Sequence, residues 1–68
     1  MNTEEEKKLN ELYDEIKKEI PYIDINPYSH NIISFTLNIM SEEFGQEKAN
    51  ETIVKLGLDK LGWSVYQE

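Results

Sequence analysis

Apolar residues near the start of the chain recur three or four positions apart, at Leu9, Leu12, Tyr13, Ile16 and Ile20. That spacing predicts an amphipathic helix over about residues 4–20 whose apolar side occupies only ~100° of the helical wheel. Glu11, Asp14, Glu15, Lys17 and Lys18 fill the opposite side. Thr3 followed by Glu6 reads as a capping box, and Glu4, Glu5 and Glu6 place negative charge where the amide dipoles favour it. Pro21 should stop the helix, since the residue before a proline is pushed out of the helical region. Pro21 to Asn26 alternates like an extended connector, with Ile23 or Ile25, and Tyr22 beside them, expected to drop into the core.

The second apolar segment is wider. Asn26 and Pro27 fit an N-cap followed by a first-turn proline, with Ser29 as a competing cap. From there Ile32, Ile33, Phe35, Leu37, Ile39, Met40 and Phe44 spread over roughly 200° of the wheel, about twice what a surface helix needs. Ile32, Phe35 and Ile39 form one edge of that arc, and Ile33, Leu37, Met40 and Phe44 lie on its other side. The polar remainder, including His30, Asn31, Ser34, Asn38 and Ser41, is uncharged, and Glu42 and Glu43 are the only charges from Ile25 to Phe44. A strip of this kind tolerates solvent or contact with another chain, where charge is depleted.

Gly45 is the expected left-handed residue that ends the second helix. A third helix over about residues 46–56 is carried by Ala49, Thr52, Ile53 and Leu56, with Val54 off the stripe and Gly57 closing it. Leu58 and Leu61, three apart, should both point inward from a single turn over residues 58–61. Gly62 then reverses the chain into Trp63, Val65 and Tyr66, a tail expected to fold back on the core. The expectation is an all-α fold: one small three-helix domain over residues 1–68, with a short fourth helical turn and an extended aromatic C-terminal tail.

Composition narrows what such a domain does. A 68-residue chain holds one thin core, and such domains are commonly stapled by disulfides, metal or oligomerisation. There is no cysteine and a single histidine, so self-association is the staple left, and a homodimer is expected. Fourteen acidic against seven basic residues give a net charge of −7. All the basic residues are lysines, and the guanidinium fork that reads phosphate and base edges is missing. Direct nucleic-acid binding is therefore not expected, nor is an anionic membrane; a basic partner protein would be favoured. No apolar run approaches a membrane span, and the acidic start Met-Asn-Thr-Glu-Glu-Glu is unlike a secretory signal, so a cytoplasmic protein is expected.

Chemistry-bearing patterns are few. Ser29 and His30 are adjacent and point about 100° apart on a helix; Ser34, one turn on, shares the His30 face, but no acid or oxyanion donor set accompanies it. The paired carboxylates Glu42 and Glu43 diverge, and Asp24-Ile25-Asn26 is too short for a calcium loop. No glycine-rich phosphate cradle is present. Neither an enzymatic activity, a metal nor a cofactor is expected.

The aromatic residues are more informative. Tyr13, Tyr22, Tyr28, Phe35, Phe44, Trp63 and Tyr66 are many for one thin core, and tyrosine and tryptophan are frequent contact anchors. The expected interface is Ile32, Phe35 and Ile39 as a dimer seam, with Tyr28, Trp63 and Tyr66 around it. The sequence thus reads as a small acidic protein-binding or regulatory module acting through protein–protein contact. Two alternatives are a structural accessory subunit of a larger complex, and an acidic inhibitor mimicking nucleic acid on a basic partner. The latter would use Glu4, Glu5, Glu6, Glu11, Asp14 and Glu15.

Overall fold

The computed structural model describes residues 3–65 and is all-α, as the periodicity predicts. Helix α1 is Thr3–Glu19, α2 is Pro27–Phe44 and α3 is Gln46–Lys55, with 3-10 turns at Ile20–Tyr22 and Leu58–Lys60. The second helix lies between the other two in packing terms, with the main helix contacts running from α1 to α2 and from α2 to α3. The helices form a slab of 36 × 26 × 17 Å.

The core follows the stripes. Ile16 of α1, Ile33, Leu37 and Met40 of α2, Ala49 and Ile53 of α3, and Leu58 are all buried, with Leu9, Leu12, Phe44 and Leu56 packed partly against them. Thr52 is buried among these apolar groups because its hydroxyl donates to the Lys48 carbonyl at 3.0 Å, which satisfies it within its own helix.

The start of α2 is fixed by Asn26, whose side-chain oxygen accepts the Tyr28 N–H at 2.9 Å, with Pro27 at the first helical position. Ser29 is not the cap. It is fully buried, and its hydroxyl donates to Glu19 Oε1 at 3.0 Å. That bond ties the end of α1 to the first turn of α2, and it sets the Glu19 carboxylate beside the positive pole of α2. At the other end of the hairpin Lys8 of α1 pairs with Glu43 of α2.

Four expectations need correction. The connector is not extended: a 3-10 turn over Ile20–Tyr22 runs into further turns, with the N–H groups of Ile25 and Asn26 both donating to the Tyr22 carbonyl. Proline's fixed φ suits such a turn as well as an extended strand, and alternation over so few residues does not separate the two. Only Ile23 reaches the core; Tyr22 is 52% exposed and Ile25 77%. Leu61 is likewise 42% exposed, since the 3-10 turn ends at Lys60 and only Leu58 points inward. Gly45 has φ 98° and ψ 153°, outside the left-handed helical basin and in a region almost reserved for glycine. There it serves as the last cap of α2 and the first of α3 at once, and a hydrogen-bond chain from Ser41 through Gln46 to Asn50 bridges the corner. Gly57, by contrast, is left-handed as expected.

Candidate interaction surface

Helix α2 buries one side and leaves two flanks. On the first flank stand His30 and Ser34, with the C-terminal segment laid over them. The Trp63 ring stacks on His30 with centroids 4.2 Å apart and planes 21° from parallel. Its indole N–H donates to Ser34 Oγ at 3.0 Å. This trio accounts for part of the uncharged polar strip: it is where the chain's own tail docks. His30 and Ser34 are thereby engaged in holding Trp63 rather than in a nucleophile–base pair.

On the second flank are Tyr28, Ile32, Phe35 and Ile39. They are spaced four, three and four residues apart, the repeat of a coiled-coil seam, so they line up along one edge of the helix. Tyr28 is 69% exposed and Phe35 66%, while Ile32 and Ile39 are half-buried. Leu12 and Glu15 of α1 border the same strip and make it a shallow groove of ≈ 500 Å³. Two of its polar side chains are engaged within the chain. Thr36 donates its hydroxyl to the Ile32 carbonyl at 2.7 Å, and Glu15, the sole charged residue lining the groove, pairs with Lys18 at 3.1 Å. What remains toward solvent is almost wholly hydrocarbon and aromatic ring.

The structure therefore brings together four of the residues singled out from sequence, Tyr28, Ile32, Phe35 and Ile39. It separates Trp63 from them, on the opposite flank and engaged within the chain; Tyr66 lies outside the described residues. Sequence reasoning missed Leu12, which was counted in the core stripe of α1. The signal was there in the width of that stripe: an arc of ~100° on α1 cannot cover its share of one twice as wide. A second apolar spot, Val54 with Val65, was also missed, but Glu47, Glu51 and Lys55 frame it with charge.

Lysines stand among the acidic residues, paired at Lys8–Glu43, Lys18–Glu15 and Lys48–Glu51. Among the described residues no group of three or more His, Asp or Glu side chains is placed to hold a metal ion, and no helix is long and apolar enough to cross a membrane. No family model, curated protein or solved structure matches the chain.

Proposed function

We propose that this protein is a small acidic protein-binding module that works by contact, with the Tyr28–Ile39 flank of α2 as its docking surface and homodimerisation among its contacts. A cytoplasmic setting suits a chain without cysteine. The observation that carries the reading is Phe35, 66% exposed at the middle of a groove that the described residues leave open and whose lining holds one charged residue, Glu15. Burying a phenylalanine of this kind contributes about 1.5–3 kcal/mol, so a surface holding it exposed with three apolar neighbours has association free energy in reserve.

The test is a paired capture experiment from native cell extract with the wild-type chain and Phe35→Glu as baits. Proteins retained by the first and released by the second would be contacts of this flank. If both baits retain the same proteins to the same extent, the α2 flank is not the docking surface. Circular dichroism of the variant guards against a trivial result, since an exposed position should accept glutamate with the helical spectrum intact.

A further inference from the structure

We propose that the occupant of the α2 flank is the same flank of a second copy of this chain, run antiparallel, with a two-fold axis crossing the helix between Ile32 and Phe35. This rests on the contact reading above and adds which face the two copies share and how they are oriented.

Three observations support it. The seam reads aromatic, isoleucine, aromatic, isoleucine from Tyr28 to Ile39. Laid antiparallel about its midpoint, Tyr28 of one copy meets Ile39 of the other, and Ile32 meets Phe35. A bulky ring then faces a branched aliphatic at every level, the alternation that lets side chains interdigitate. A parallel pairing would stack Tyr28 on Tyr28 and Phe35 on Phe35 with the isoleucines left together.

Charge at the two ends of the helix points the same way. The C-terminal end of α2 carries Glu42 and Glu43, and the Glu43 side is bordered by Glu4 and Glu5 with Lys8 as the single cation. The N-terminal end lies beside Lys17 and Lys18 together with Glu15, Glu19 and Asp24, and α2 has no acidic residue in its first turn. Parallel copies would bring two acidic ends together at the negative poles of both helices. Antiparallel copies hold those ends apart and set each against the less acidic N-terminal end of the partner helix, where two lysines stand among three carboxylates.

The groove also selects against the partner that net charge alone would suggest. A basic protein is attracted by the −7 charge, yet the seam offers it only Glu15, already paired with Lys18. An uncharged, self-matching face fits another copy. From Tyr28 to Ile39 the seam runs only about 16 Å of helix. A strip of that length covers less than the ~800 Å² per partner of a standard interface, so the dimer is a weak one.

The cysteine-free chain makes the geometry directly readable. Tyr28→Cys and Ile39→Cys are prepared separately and oxidised alone or mixed. Antiparallel pairing places position 28 across from position 39 of the other copy, but leaves two copies of position 28 about 16 Å apart, beyond disulfide reach. The mixture should therefore form its crossed disulfide about tenfold or more faster than either variant forms its own. Equal or faster self-linking by each variant alone would mean a parallel dimer and overturn the orientation while leaving the contact reading in place. Sedimentation of the wild-type chain from micromolar to millimolar needs no substitution. A dimer that tightens as salt screens the like charges supports the proposal; a dimer that salt weakens, or a monomer throughout, overturns it. In the monomer case the paired capture with Phe35→Glu still decides whether the flank docks on something else.

Discussion

The two flanks of α2 start from similar material and end differently. Both sides of the helix are uncharged from Tyr28 to Ser41, and both have an aromatic anchor within reach, Trp63 on one and Phe35 on the other. Trp63 arrives on a segment released by Gly62, finds a ring to stack on and a hydroxyl to bond, and completes its own chain's surface. Phe35 projects from α2 itself, and nothing in the described residues arrives to cover it. Apolar character alone therefore does not decide which strip stays exposed. The deciding quantity is whether the chain has a segment long enough, and correctly placed, to come back over the exposed strip.

Substitutions can break this contrast in descending order of effect. Ile33→Ala removes buried volume that both flanks depend on, at a cost of about 2–5 kcal/mol; thermal denaturation should show a largely unfolded protein, since small domains have about that much stability in total. Trp63→Ala strips the covered flank only. Because Trp63 is half-buried, the loss should be about 2 kcal/mol, read as a lower melting temperature with dimerisation unaffected. Ser34→Ala deletes one acceptor and should cost about 0.5–1 kcal/mol, with the indole N–H left to water. Phe35→Glu reverses the pattern: monomer stability should move by no more than about 0.5 kcal/mol at low concentration, while the sedimentation mass falls to that of one chain. Lys7→Glu, on exposed α1 surface away from both flanks, should change neither melting nor mass. If Trp63→Ala dissolved the dimer and Phe35→Glu melted the monomer, the two flanks would have been assigned the wrong way round.

The sequence-level pattern located the three α-helices, because each stripe repeats over several turns and ends at a proline or glycine. It failed where geometry is decided over a few residues. The Ile20–Tyr22 turn and the outward Leu61 both lie in stretches too short for periodicity to discriminate, and the backbone of Gly45 answers to two helices meeting. The exposed strip was legible in part. Phe35, Ile32 and Ile39 stood at one edge of an arc too wide to be covered, which a wheel reveals. For Trp63 the return of the tail to the core was legible from Gly62, but not the flank it lands on; docking on His30 and Ser34 is a tertiary choice with no local signature.

The order of packing, α1 on α2 and α2 on α3, has a kinetic corollary. Each outer helix is next to its packing partner in the chain and meets the other outer helix chiefly at side-chain tips, as where Lys55 lies 5.1 Å over the Tyr13 ring. Assembly then closes only short loops, the topology of rapid folders. Either outer helix can also peel away while the remaining hairpin persists, so amide hydrogens of α1 and α3 should exchange before those in the middle of α2.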